Sequence, residues 1–291
     1  MPETRDVEFA VMNVAAEPHR NVQYSRLLRS ISRRPRPFWG DDFAAITEPE
    51  EYEPGIFLGT VLIWQEIDPN KPAVNKDTLQ EVRMENTGIR IPANLGLNGR
   101  HFFYVLRERD HKVFYESKND EGHQLAPSRF KRLLDLAFAP VNLRGELSVT
   151  VTVVPDEDGL SKVLAIPHIT MLQIFLAAPN PDQIEGIERR VLKRLTDQGA
   201  KSQEIIFSAK SRKAGIRPNR ETLEDAQVAA DNGLVTATGY DNGGNKLPTR
   251  STDQYPKVFP YTIEAAGSAL AGLLRIAKQA VIRDGRRPPR Q

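Results

Sequence analysis

The sequence predicts an α+β fold: two mixed halves with mainly antiparallel sheets and a closing C-terminal helix. Three observations predict it. Leu147–Val154 alternates apolar and polar residues, as a half-buried strand does. Two strand pairs are joined by short polar connections, Glu108–His111 and Asp241–Asn245, the signature of hairpins. Such hairpins outnumber regular strand-helix-strand alternation, which would have pointed to a parallel sheet.

The elements follow in chain order. Val7–Val14 is a strand. Asn21 caps a helix to about Arg34, with Val22, Leu27, Leu28 and Ile31 on its apolar face, and Pro35 and Pro37 end it. Strands are expected at Phe43–Thr47, Ile56–Trp64, His101–Arg107 and Lys112–Glu116. Between them, Asp68–Gly99 lacks periodicity and carries Pro69, Pro72 and Pro92, so it is expected to be a long ordered loop or flap. Pro127 opens a helix through about Phe138 with Phe130, Leu133, Leu134 and Ala137 inward. A boundary is expected near Pro155–Gly159, with a short helix after the acidic residues 156–158. Ile169–Ala177 is the next strand. Pro179–Asp182 is a turn and helix start, leading to a helix over Pro181–Gln198 that Gly199 ends. Glu204–Ser208 is a strand, Asn219 or Thr222 starts a helix ending near Asn232–Gly233, and Leu234–Tyr240 and Lys246–Ser251 flank the Gly-rich turn. Ile263–Ile282 is the closing helix, with Leu270, Leu273, Leu274 and Ala277 on a stripe for the core or a dimer interface.

At 291 residues the chain has room for about two domains, 1–155 and 156–285, followed by a basic tail over 286–291. Hydrophobic residues are 40% and charged residues 27%, close to a globular average, with mean hydropathy −0.46. No apolar run reaches the roughly 18 residues of a membrane span, so no membrane partner is expected. MPETRDVEF lacks the basic and apolar regions of a secretory signal. The absence of cysteine removes disulfides, thiolate nucleophiles and Cys-ligated zinc, and fits a reducing cytoplasm.

No cofactor or nucleotide motif is present: no GxxxxGK[ST], GxGxxG, GxSxG or HExxH. The five histidines have no metal-binding spacing among themselves. Asp110 with Glu116-Ser117-Lys118 resembles the acid, acid-x-lysine pattern of metal-dependent restriction-type nucleases, in which carboxylates hold a divalent ion. The acidic run Glu48, Glu50, Glu51 and Glu53 reads most simply as a solvated loop.

Charge placement says more than the net charge of +2. Between Arg20 and Arg36 stand six arginines without an acid, and Arg26, Arg29 and Arg33 are spaced to share one helix face. Arg34 and Arg36 then run into Phe38-Trp39. Lys210, Arg212, Lys213, Arg217 and Arg220 form a second acid-free stretch in what is expected to be a mobile loop after a strand. Arg275–Arg290 is a third, with only Asp284 opposing it. Guanidinium suits phosphate because its planar fork donates two parallel hydrogen bonds, and a basic loop follows a phosphate backbone without reading bases. Arg33, Arg34, Arg36, Lys210, Arg212, Lys213 and Arg217 are therefore the candidate nucleic-acid contacts.

Ile166–Ile174, Ala178–Asp182, Arg189–Leu195 and Val228–Gly239, with Val11–Val14 and Phe114–Glu116, resemble a bacterial family known as a domain of unknown function, number 4747, over most of the chain to about residue 265. More distantly, the order of elements in the second half is similar to the RexA-like phage-exclusion proteins: strand, basic helix, polar loop, hairpin and final helix. The closer family implies no chemistry. The RexA-like group implies DNA binding, dimerisation and phage defense, without naming contact residues. Two readings follow. The first is a non-catalytic protein that binds or senses double-stranded DNA as a homodimer in an anti-phage system. The second is a protein-interaction or regulatory subunit with a defense-system partner and no nucleic-acid contact. A nuclease using Asp110, Glu116 and Lys118 ranks third.

Overall fold

The structure, a computed structural model, describes residues 4–18, 22–66, 68, 70–92, 94–143, 147–179, 186–264 and 267–280. The described elements are β1 (Arg5–Glu17), α1 (Tyr24–Ile31), β2 (Arg36–Trp39), β3 (Asp42–Ile46), β4 (Glu50–Glu53), β5 (Ile56–Gln65), β6 (Ala73–Asn75), β7 (Gln80–Val82), β8 (Leu97–Arg107), β9 (Lys112–Lys118), α2 (Pro127–Ala137), β10 (Ser148–Val153), α3 (Gly159–Leu164), β11 (His168–Ala177), α4 (Ile187–Asp197), β12 (Ser202–Ser208), α5 (Arg220–Asn232), β13 (Gly233–Tyr240), β14 (Arg250–Ser251), β15 (Val258–Ile263) and α6 (Ala269–Gln279). Every strand pairing among them is antiparallel, so the α+β expectation holds. None of the described helices is long and apolar enough to cross a membrane.

Nine strands form the first sheet in the order β10-β1-β9-β8-β5-β3-β2. Two of its rows are split. Along one edge of β1, β15 pairs Arg5–Ala10 and β10 pairs Met12–Glu17. Along one edge of β5, β4 and β3 divide the strand in the same way. β1 is apolar almost throughout because both of its faces are covered. Ala10, Met12, Val14 and Ala16 meet α1 and α2, while Val7, Phe9 and Val11 meet α6. The Leu273, Leu274 and Ala277 stripe of α6 lies in that second core, which decides between the two roles the sequence left open for it.

The second sheet runs β12-β11-β13-β14. Helices α3, α4 and α5 cover one face through Leu172, Ile174, Leu176, Val235 and Ala237. The other face carries exposed Phe175 and Ile206. The chain leaves the first sheet at Val154 and returns at Lys257 through a paired neck. Lys257 N donates to Val154 O and Asp156 N to Tyr255 O, both at 2.8 Å. β15 and α6 therefore pack with the first sheet, unlike the expected grouping of 156–285.

A row of three polar side chains across β10, β1 and β9 joins the two sheets: Thr152, Asn13 and Lys112, neighbours in register. Asn13 Nδ2 donates to Asn232 Oδ1 at 3.3 Å and Thr152 Oγ1 to Asp231 O at 3.3 Å, satisfying the end of α5. Lys112 Nζ donates to Asn13 Oδ1 at 3.1 Å. At Gly233, the next residue, an added Cβ would stand 1.9 Å from Phe175 O, so only glycine lets α5 pass directly into β13 beside β11.

Several expectations shift. α1 stops at Ile31 because Ser32 Oγ turns back to Leu28 O and Arg33, left-handed at φ 56°, donates its N–H to Ile46 O. Asn21, expected as its cap, lies outside the described residues, as do 180–185 at the expected start of α4. Glu108, from the β8–β9 connection, supplies the α1 cap instead: its carboxylate accepts Tyr24 N at 2.5 Å and Ser25 N at 3.0 Å. Of the two candidates for α5, Asn219 is the cap, accepting from Thr222 N at 2.8 Å. The expected closing helix from Ile263 is divided, Ile263 ending β15 and Ser268 capping α6. The segment 68–99 contains the β6–β7 hairpin, and a cavity of about 1010 Å³ lies between it and β5–β8, lined by Leu62, Trp64, Met84, Ile89, Ile91 and Leu95 among others.

Candidate nucleic-acid interface

The loop after β12 is tied down at both ends, in contrast to the mobile loop expected. Ala209 N donates to Thr170 O at 2.8 Å and Ile216 N to Ile169 O at 2.7 Å, so successive carbonyls of β11 hold the two ends together. Within it, Ala214 N reaches Ser211 Oγ, and Gly215 turns at φ 63° against the His168 backbone. Residues 210–213 project from this base. Lys210, Arg212, Lys213 and Arg217 are all exposed, and among the described residues none is in a salt bridge. Arg212 lies flat on Tyr240, with Cζ 3.7 Å from the ring centroid. Its far end meets the Gly-rich turn, where a Cβ on Gly244 would lie 2.9 Å from Nη2. Arg220, the fifth basic residue of the stretch, is bound to Glu224 in the first turns of α5.

The first basic stretch is arranged differently. Arg29 donates to Pro49 O, and Arg33, past the helix end, pairs with Glu48 at 3.4 Å. The predicted arginine face of Arg26, Arg29 and Arg33 is thus broken by the early end of α1. Arg36 is half-buried, its Nη1 holding Ile31 O and Arg34 O, and its pKa is lowered by burial and by Arg34. Arg34 remains exposed. Phe38 is in the core while Trp39 is on the surface. β2 ends one side of the first sheet, whereas the second sheet attaches at β10 and β1. Six strand intervals separate these places, roughly 30 Å. Arg33, Arg34 and Arg36 are therefore not brought together with Lys210–Arg217. Of the third stretch, Arg275 stacks on Tyr261 and Lys278 pairs with Glu53, and 281–291 lie outside the described residues.

The nuclease trio does not converge. Both carboxylate oxygens of Asp110 are taken by Arg107, at 2.8 and 2.5 Å. Glu116 lies up the strand, 1% exposed, accepting Phe103 N at 2.6 Å through Oε2, while Oε1 has no hydrogen-bond partner. Burial raises its pKa to about 7, the Phe103 amide opposes this, and Asp120 and Glu121 add to it. Among the described residues no three acidic or histidine side chains cluster as metal ligands.

Arg129 and Arg132, in the mixed-charge amphipathic helix α2, lie with Cζ 4.8 and 5.9 Å from the Trp39 ring centroid. That placement depends on α2 packing beside β2, which no local pattern in the sequence marks.

The fold and surfaces define an antiparallel α+β protein with two large sheets and two separate basic surfaces, each containing an aromatic ring under arginine. The chain belongs to the family described as a domain of unknown function, DUF4747, whose model matches residues 5–278. No curated protein matches it. Two of the stretches that carried the family resemblance meet at the sheet junction, Asn13 from one and Asp231–Asn232 from the other. Those residues hold the fold.

Proposed function

We propose that this chain is a non-catalytic protein that binds or senses double-stranded DNA, acting in the cytoplasm as a homodimer in anti-phage defense or phage exclusion. One observation carries the DNA part: the anchored loop 209–216 and the adjoining Arg217 present Lys210, Arg212, Lys213 and Arg217 with no described ion-pair partner. Such a loop contacts the phosphate backbone without reading sequence, and its affinity falls steeply with salt. Arg33, Arg34 and Arg36 lie on a different surface and are not needed for this contact. The defense and dimer parts rest only on the resemblance in element order to RexA-like proteins drawn from the sequence. The α6 stripe is used in the core, so a second copy would meet the open face of the second sheet, around Phe175 and Ile206.

The test is a mobility shift with labelled duplex DNA at two salt concentrations, beside a variant carrying Lys210→Glu, Arg212→Glu and Lys213→Glu. Salt-sensitive binding lost in the variant supports the reading, and no shift at low salt overturns it. In that case the second reading takes its place, a protein-interaction or regulatory subunit with a defense-system partner. The exposed Phe175 and Ile206 face favours it.

A further inference from the structure

At the free edge of the first sheet, Trp39 is 51% exposed at the end of β2. Arg129 and Arg132, one turn apart on α2, both reach it, with Cζ 4.8 and 5.9 Å from the ring centroid. Arg132 is also fixed to the strand itself, its Nε donating to Phe38 O at 3.3 Å. Arg34 and Arg36 stand on the same stretch of chain. The acids nearby are already engaged: Asp42 with Arg100 at 2.7 Å, Asp41 with Lys71, Glu48 with Arg33 and Asp135 with Lys131. Arg129 and Arg132 thus gather positive charge on one exposed indole, and Arg34 and Arg36 add to it on the stretch of chain that leads to Trp39.

We infer that this patch binds single-stranded nucleic acid, an unpaired base stacking on Trp39 while Arg34, Arg129 and Arg132 hold the flanking phosphates. The chemistry is specific in two respects. A ring already attended by two guanidinium groups favours an anionic partner over a cationic one. A half-exposed indole suits a flat π-surface, which an unpaired base offers and a duplex hides inside its stack. The inference rests on the reading of the chain as a nucleic-acid-binding protein, but not on the 209–216 loop, which is a separate surface.

The chain has two tryptophans, Trp39 and Trp64, so Trp64→Phe leaves Trp39 as the sole reporter. Oligothymidylate titrated into that variant is expected to quench its fluorescence. Trp39→Ala in the native chain is expected to weaken oligothymidylate binding about tenfold or more. Arg129→Glu with Arg132→Glu is expected to weaken it further, with Trp39→Phe retaining part of the affinity. Because Trp39 is on the surface, an unchanged melting temperature shows that these variants remain folded. The loop variant Lys210→Glu, Arg212→Glu, Lys213→Glu, assayed alongside with duplex, is expected to lose duplex binding and keep the quench. Duplex binding with neither quenching nor a Trp39→Ala effect overturns this inference and leaves the loop reading standing. Absence of binding to either nucleic acid overturns both. Equal binding of poly-glutamate, displacing the oligonucleotide, assigns the patch to an acidic peptide and likewise overturns it.

Discussion

At the scale of single residues, buried charge is the feature with the largest consequences. Arg107 is 2% exposed and completes α6: its Nη1 donates to Ala277 O and Ala280 O at 2.6 and 2.8 Å, while Asp110 neutralises the rest of the guanidinium. A cation on the final carbonyls is favourable to a helix end. Removing it leaves Asp110 buried and unpaired, so Arg107→Leu is expected to cost about 3–5 kcal/mol in urea denaturation, with Asp110→Asn added to it restoring part. Glu116 has the opposite sign. Its folded pKa, about 7, lies above the 4.5 of the free side chain. Its contribution is complete below the lower value and is lost as pH rises through the upper one. Glu116→Gln, neutral throughout, is expected to match the native chain near pH 4.5 and to exceed it by up to about 3 kcal/mol above pH 8. Equal stability of the two at pH 8.5 would show that folding does not raise the Glu116 pKa.

At the scale of elements, the chain positions its helix ends and loop ends by contacts from distant segments. α1 takes its N-terminal cap from Glu108 and α5 takes its C-terminal partners from Asn13 and Thr152. The α5–β13 passage depends on Gly233. Gly233→Ala would press a methyl group into Phe175 O, for an expected loss of about 1–3 kcal/mol by thermal or chemical unfolding. Asn13→Ala is expected to cost about 1–3 kcal/mol, because it leaves buried polar partners at the junction. Periodicity exposed most strands and the amphipathic helices, since alternation and 3.6-residue spacing are properties of each segment alone. It missed β15, where Pro260 interrupts a half-exposed run whose pairing partner is some 250 residues earlier. It also missed the short edge strands β2 and β4, which carry Pro37 and three glutamates.

For the whole molecule, the second sheet is an insertion whose ends meet in the paired neck at 154–156 and 255–257. Its core is separate from the two that flank the first sheet. Residues 157–256 produced alone are therefore expected to unfold cooperatively, because the ends are adjacent and the core is complete. Residues 1–155 alone lack β15 and α6 and leave Val7, Phe9, Val11 and Phe114 uncovered, so they are expected to bind a hydrophobic dye and aggregate. Joining residues 1–155 to 257–280 by a short linker restores that cover. A soluble, cooperative 1–155 fragment would contradict this arrangement.

The class of fold, most element positions and the basic stretches are legible in the sequence, because patterning and local charge density are carried by neighbouring residues. The sequence located Lys210, Arg212, Lys213 and Arg217 as one group because they lie on one loop. The tertiary structure alone decided that this loop is anchored, that the Arg33–Arg36 stretch lies across the sheet from it, and that α6 closes the first core. It also decided that Arg129 and Arg132 converge on Trp39. These are outcomes of strand order and helix docking between segments far apart in the chain, and no local pattern specifies which distant partners will meet.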